Sequence, residues 1–410
     1  MNVLFLHNEF PGQFVHLASH LAKRRGHNVV AIGGPRSHQL DAIDLRQYEL
    51  SRGTTSGILP YVETYELECL HGEAAAVAAA ELAAEGFRPD VIVGHAGWGE
   101  LLFLKEIWPE AKTVAYAEYY YRGRGGDVSY DPEIDEQGLA NMIFARAKNA
   151  GVAMCMAEAD LIVAPTAWQR SCFPQGLRSR IVVVHDGVDT ASIRPCPEAQ
   201  LQISGGGKVF RAGEEIVTYV NRALEPIRGI HVFLRALPRI LEARPSAQVL
   251  IVGSENDRPY GKWPPQGTTW KHVFLREVQH RLDSRRINWL GLLDRDAFNV
   301  FLAVSRVHVY LTYPFVLSWS LIEALSAGCL VVASATPPVA EIIDHGRNGL
   351  LVDFFDHEAL ADTVIEALSQ PKSAFAGVRR AAREMVITNY DRDTICLPRL
   401  VDLIESLVAT

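Results

Sequence analysis

Two arginines, two serines and a glutamate carry the clearest chemical signal. In YVNRALEPIRGIHVFLRAL (219–237), Arg222 follows an apolar run and Arg228 stands at the start of the next helix-period segment. Two guanidiniums at a strand-to-helix loop can clamp a diphosphate bidentately and neutralise charge growing on a leaving group. Taken alone, the pair would read as a solvated basic loop. Further on, TYPFVLSWSLIEALSAGCLVVAS (312–334) places Ser318 and Ser320 in a loop that opens a helix, with Glu323 about one turn inside it and Gly328 at its close. A helix N-terminus offers unpaired N–H groups and a positive dipole end, which suit phosphate, and a carboxylate nearby can accept two hydrogen bonds from a ribose diol. Diphosphate and ribose together describe a nucleotide. A third segment, AEYYYRGRGGDVSYDPE (117–133), combines Glu118, Tyr119, Tyr120 and Arg122, aromatic faces and polar groups that suit a carbohydrate-like acceptor. Its bland reading is a loop with partly buried tyrosines.

These residues need elements to position them. Short apolar runs (VLFL 3–6, VVAIG 29–33, DVIVG 90–94, TVAYAE 113–118, ADLIVAP 159–165, IVVVHDG 181–187) alternate with helix-period segments at 12–25, 72–86 and 136–158. Strands covered on both faces read as continuous apolar runs, so the rhythm predicts βαβ units around a parallel sheet. Residues 189–213, with Pro195, Pro197 and Gly205 to Gly207, read as a linker. A second α/β series then runs through 215–220, 247–253, 287–291, 307–312 and 329–334. The expected domains are 1–200 and 201–390, with a helix over 390–410 that packs back on one of them. In such doubly wound domains ligands bind beyond the carboxyl ends of the strands, so a shared cleft is expected there.

Composition bounds the rest. The 410 residues are 48% hydrophobic and carry 40 Lys+Arg against 48 Asp+Glu, a formal charge of −8, so no overall positive field favours nucleic acid. Six scattered cysteines form no C-x-x-C pair and fit a reducing cytosol. No run reaches the ~20 uncharged apolar residues of a membrane span, so any membrane contact would be peripheral, with Lys23, Arg24 and Arg25 as a basic patch.

The order of FPGQF (10–14), DVIVGHAGW (90–98), HDGVDT (185–190), NRALEPIRG (221–229), VLIVG (249–253), INWLG (287–291), the Glu323 segment and VAEIIDHGRNGLLVD (339–353) resembles glycosyltransferase family 4. The resemblance implies an α/β fold of the GT-B type, two Rossmann-like domains facing a cleft. It implies that Arg222 and Arg228 hold the donor diphosphate, with Arg228 where Lys is usual, and that Glu323 is the second glutamate of a Glu-x(7)-Glu motif that holds the ribose. The first glutamate is replaced by Phe315, which leaves the donor sugar unspecified. Backbone groups of Ser318, Trp319, Ser320 and Leu321 are expected at phosphate and sugar, and Gly253, Gly291, Leu292 and Leu293 at the base. His95 matches the family histidine at the reaction centre, with Gly12 on the donor side and Gly97, Glu118, Tyr119, Tyr120 and Arg122 on the acceptor side.

The implied activity is retaining transfer from a UDP-sugar, or second a GDP-sugar, to a glycan, lipid-linked or small-molecule acceptor, without cofactor or metal because the arginine pair can neutralise the diphosphate. The replaced glutamate motivates an alternative, a partner subunit that binds nucleotide without turnover. A nicotinamide oxidoreductase is disfavoured, since no G-x-G-x-x-G follows a strand.

Overall fold

The computed structural model describes residues 1–203 and 207–409, so Gly205 and Gly206 of the expected linker lie outside the described residues. The chain divides into two compact units. Unit 1 comprises Met1–Ser129, Glu136–Gly187 and Asp393–Thr410; unit 2 comprises Tyr130–Asp135 and Val188–Arg392.

In unit 1 the apolar runs become β1 (Asn2–His7), β2 (Asn28–Gly33), β3 (Asp44–Gln47), β4 (Val91–His95), β5 (Lys112–Tyr116), β6 (Leu161–Ala164) and β7 (Ile181–Val183). They pair in parallel in the order β3-β2-β1-β4-β5-β6-β7. Val3 to Leu6 are fully buried because helices cover both faces of the sheet, which is why β1 carries no polar alternation. The strand order reverses between β1 and β4, the switch point where doubly wound sheets bind ligands. Register runs to Leu6↔Gly94, so His7 and His95 stand side by side one step further on. The C-terminal helix Leu397–Val408 adds Val401 and Ile404 to this unit's core.

Unit 2 repeats the plan. A small antiparallel pair, β8 (Gln200–Gln202) and β9 (Val209–Arg211), precedes β10 (Ile216–Ala223), β11 (Gln248–Ser254), β12 (Ile287–Gly291), β13 (Val307–Tyr310), β14 (Leu330–Ser334) and β15 (Leu350–Val352). The parallel order is β12-β11-β10-β13-β14-β15, with the switch point between β10 and β13. Tyr219 pairs with Val309; Arg222 lies near the end of β10 and Thr312 just past the end of β13.

Two expectations change. The division falls at Gly187/Val188 rather than near 200, and the described residues of 189–213 belong to unit 2 rather than bridging the units: Ile193, Ala199, Leu201 and Phe210 are buried in its core. The helix expected over 136–158 is two helices, Leu139–Ala147 and Ala150–Glu158. Asn149 separates them. Its buried amide donates to the carbonyls of Tyr121 (2.9 Å) and Ala145 (3.0 Å) and accepts the Tyr121 N–H at 2.7 Å, so the side chain substitutes for a backbone partner and ties down the segment that follows Glu118. Asn149→Ala would strand both Tyr121 groups and cost about 2–4 kcal/mol. Urea unfolding measures this, and a change below about 0.5 kcal/mol would remove Asn149 from that role.

Candidate functional site

In unit 1 three strand ends converge on one carboxylate. The loop after β1 turns back at Gly12 (φ +47°), where a Cβ would lie 2.4 Å from His7 Nε2, so only glycine lets the loop close over the imidazole. His7 Nδ1 accepts the Glu9 N–H at 2.9 Å, which puts the proton on Nε2 and makes it the donor to Gln13 Oε1 at 2.7 Å. Gln13 Nε2 in turn donates to Glu118 Oε1 at 3.1 Å. From the other side, His95 Nδ1 accepts the Gly97 N–H at 3.1 Å and its Nε2 stands 3.4 Å from Glu118 Oε2. Trp98 stacks on His95 with ring centres 5.1 Å apart.

Burial would push the Glu118 carboxyl up, but the facing His95, with Gln13 and His7, holds it below its ordinary range. It is therefore an acceptor of directed donors. Burial, then the neighbouring His95, pulls His7 down to about 4, so His7 is a neutral donor at ordinary pH.

In unit 2 the centre is Arg228. It ends the 3-10 turn Pro226–Arg228, and Gly229 (φ +73°) follows, where a Cβ would meet Leu311 Cβ at 2.5 Å. Arg228 is 6% exposed, and its Nη1 donates to Thr312 Oγ1 (2.9 Å) and the Val316 carbonyl (2.8 Å). Both partners are neutral, and among the described residues no carboxylate lies within ion-pair distance of it. Its Cζ lies 5.4 Å from the centre of the Phe315 ring. Arg222 is exposed, donates to the Arg258 carbonyl at 3.1 Å and lies 4.7 Å from the Tyr260 ring. A buried cation with neutral partners, beside an exposed one at the switch point, is an arrangement whose chemistry suits an anion.

The helix Trp319–Ser326 begins as expected, but its amides are occupied. Ser318 N–H donates to Tyr310 Oη (2.9 Å), Ser320 N–H to Ser318 Oγ (3.3 Å) and Leu321 N–H to the Ser318 carbonyl (3.2 Å). The backbone groups of Ser318, Ser320 and Leu321 expected at the phosphate are thus engaged within their own loop, whereas neither Arg222 nor Arg228 is paired with a carboxylate among the described residues. Trp319 is half-buried and Leu321 fully buried. Glu323 is buried too, and its Oε1 accepts Arg295 Nη1 at 2.5 Å; burial raises its carboxyl while Arg295 opposes the rise. Gly253 lies near the end of β11, Gly291 ends β12, Leu292 is exposed and Leu293 packs on the core.

The structure gathers His95, Gly97, Gly12 and Glu118 in unit 1, and Arg222, Arg228 and Phe315 in unit 2. The other acceptor-side residues stand apart. Tyr119 is buried against Trp168 with its hydroxyl on Asp127 Oδ1 at 3.0 Å, Tyr120 is buried against Phe173, and Arg122 donates to the Gly125 carbonyl at 2.8 Å. Buried rings present no face to an acceptor, so Tyr119 and Tyr120 pack the loop. Sequence reasoning missed His7, Gln13, Tyr260 and Arg295. Gln13 stands inside the quoted FPGQF motif, and Arg295 two residues beyond Leu293, so position marked both.

Two family models match the chain: "Glycosyl transferase family 4 group" over residues 25–193 and "Glycosyl transferases group 1" over 207–385. It is 29% identical over 223 residues to D-inositol 3-phosphate glycosyltransferase of Mycolicibacterium smegmatis, covering 53% of this chain and 48% of that one. It is 26% identical over 264 residues to the GDP-mannose-dependent alpha-(1-6)-phosphatidylinositol monomannoside mannosyltransferase of Mycobacterium tuberculosis, covering 60% of this chain and 62% of that one. The matches thus span less than two thirds of these curated relatives. Among solved structures, sucrose-phosphate synthase from Thermosynechococcus elongatus superposes with a TM-score of 0.74 at 17% identity over 100% of this chain and 99% of that one. Anabaena HepE in complex with UDP-glucose superposes at 0.65 and 17% identity over 99% and 100%. These likenesses give the fold, which is GT-B. No described helix is long and apolar enough to cross a membrane, and Cys69, Cys155, Cys172, Cys196 and Cys329 are free.

The His7 network has a measurable pH signature. With a pKa of about 4 folded and ~6.5 unfolded, His7 binds more protons in the unfolded state between those limits, so its contribution to stability falls as pH drops through that window. The stability of wild type relative to His7→Gln, from urea unfolding, should fall by roughly 2 kcal/mol between pH 7 and pH 5. An unchanged difference would mean that His7 is not held neutral.

Proposed function

From the premise that the chain belongs to the group 1 glycosyltransferases, we propose that it transfers a sugar from a nucleoside-diphosphate sugar to a hydroxyl acceptor with retention and without a metal. The observation that carries the reading is Arg228, a buried cation whose hydrogen bonds go to neutral oxygens, with Arg222 beside it. A diphosphate supplies the missing negative charge. As the anomeric C–O bond to the diphosphate breaks, charge grows on the leaving phosphate, and two guanidiniums stabilise it where a metal otherwise would. Retention follows the family: the acceptor oxygen attacks the oxocarbenium-like carbon from the face that the phosphate leaves, and the phosphate takes the acceptor proton. Glu323 serves the ribose, which requires Arg295 to share or yield its oxygen. In unit 1, His95 and Glu118 serve the sugar-acceptor side: the imidazole is oriented by Gly97, and the carboxylate takes the Gln13 amide and faces His95 Nε2, which has no hydrogen-bond partner among the described residues.

UDP is the first donor nucleotide and GDP the second, supported respectively by HepE, solved with UDP-glucose, and by the GDP-mannose-dependent relative. The relatives named for inositol phosphate and phosphatidylinositol mannoside support a small-molecule, glycan or lipid-linked acceptor. One observation favours a second reading, a partner subunit that binds nucleotide without turnover: apolar Phe315 stands where the family places its sugar-contacting glutamate.

Calorimetric titration of UDP, GDP and ADP, followed by transfer assays with sugars of the bound nucleotide, separates these. Arg228→Ala should weaken the bound diphosphate by about 2–3 kcal/mol, and Glu323→Ala by about 1–2 kcal/mol, both with wild-type-like far-ultraviolet circular dichroism. Unchanged affinity in Arg228→Ala would sink the diphosphate role. Binding without transfer of any sugar selects the second reading.

A further inference from the structure

Arg222 and Arg228 share a partner from a different loop. After β11 the chain brings Tyr260 over both: the ring centre lies 4.7 Å from Arg222 Cζ, 5.7 Å from Arg228 Cζ and 5.6 Å from the Phe315 ring centre. Arg228 thus has aromatic rings at its planar group from two elements, Phe315 and Tyr260, while its Nη1 is bonded to Thr312 and Val316.

The Tyr260 loop is itself anchored from three sides. Glu225 Oε2, on a residue 1% exposed, accepts the Gly261 N–H at 2.9 Å. The Arg258 carbonyl accepts Arg222 Nη2, and Trp270 Nε1 donates to the Lys262 carbonyl at 2.8 Å. Burial raises the Glu225 carboxyl, and the Gly261 and Tyr260 amides, with the two arginines, oppose that rise, so this acid faces the same group of donors. Tyr260 nevertheless stays 49% exposed, an arrangement in which a large ring is held at the surface by contact with cations.

A ring that packs against a guanidinium does not use up its N–H groups, and those are the groups that grip phosphate oxygens. Arg222 depends on this most, because it is exposed, has no carboxylate partner among the described residues, and would otherwise sample many rotamers that binding must freeze out. We propose that Tyr260 is a positioning residue for the donor diphosphate: its ring fixes the planes of Arg222 and Arg228 so that their N–H edges are set for the phosphate oxygens before nucleotide arrives. The inference rests on the nucleotide reading above and deepens it, since the contact concerns the second phosphate rather than the nucleoside.

The test compares UDP with UMP, and GDP with GMP, by calorimetry on wild type, Tyr260→Ala and Tyr260→Phe. Tyr260→Ala should weaken the diphosphate on the order of tenfold and leave the monophosphate within about twofold, while Tyr260→Phe, which keeps the ring, binds both like wild type. Thermal unfolding of the variants checks that the fold is kept. An equal loss for mono- and diphosphate, or no loss in Tyr260→Ala, overturns the role of Tyr260 while the nucleotide reading stands. Wild type that binds neither UDP nor GDP overturns both.

Discussion

A buried guanidinium with neutral hydrogen-bond partners is the constraint around which unit 2 is arranged. Taking a charge out of water costs several kcal/mol unless something compensates. Arg228 is compensated by the Thr312 hydroxyl, the Val316 carbonyl and two aromatic rings, none of which cancels its charge. The partners come from two loops other than its own: Thr312, Phe315 and Val316 from the loop after β13 and Tyr260 from the loop after β11, with Arg228 itself in the turn after β10. Those three strands are neighbours, and the switch point between β10 and β13 leaves room for their loops to meet. The fold thus holds a positive charge ready at a strand end, and the cost of burying it is met during folding rather than during binding.

Unit 1 uses the same topology for a different purpose. At its switch point the strand ends carry imidazoles instead of guanidiniums, and the carboxylate of Glu118 stands where unit 2 has positive charge. Glu9 and Gly97 fix the tautomers of His7 and His95 through their backbone N–H groups, so that His7 reaches the carboxylate through Gln13 while His95 Nε2 stands 3.4 Å from it without a hydrogen-bond partner among the described residues. An oriented neutral donor with an ionised acceptor suits hydroxyl recognition, since each sugar hydroxyl both donates and accepts.

Much of this was legible in the sequence, for physical reasons. Parallel strands covered on both faces must be apolar throughout, so runs such as VLFL and AQVLIVG disclosed the sheets directly. Arg222 and Arg228 could be picked out as a pair because both flank one strand-to-helix loop, a local fact. What stayed hidden depends on distant partners. Asn149 divides a helical pattern because Tyr121, far away in sequence, needs its amide. The Glu323–Arg295 pair spans two helices, and the buried state of Tyr119 and Tyr120 is set by Trp168 and Phe173. Residues 189–213 misled for the opposite reason: a Pro- and Gly-rich composition signals turns, but Leu201 and Phe210 were enough to bury a short hairpin.

The occupied amides at Ser318, Ser320 and Leu321 change how the donor side must work. If a helix N-terminus held the phosphate, its contribution would be a fixed partial charge, about half an elementary charge, that no side chain could adjust. With those N–H groups engaged by Tyr310 and Ser318, the positive charge comes from two full cations on side chains, one buried and immobile, one exposed and held by a ring. Under the proposed diphosphate role, the buried cation gives a permanent field and the exposed one, held by the Tyr260 ring, gives hydrogen bonds set in advance. The negative charge is present in the ground state but concentrates on the leaving oxygens only as the bond opens. Two arginines held in place can therefore bind the first state and interact more strongly in the second, as charge grows on the oxygens they already face.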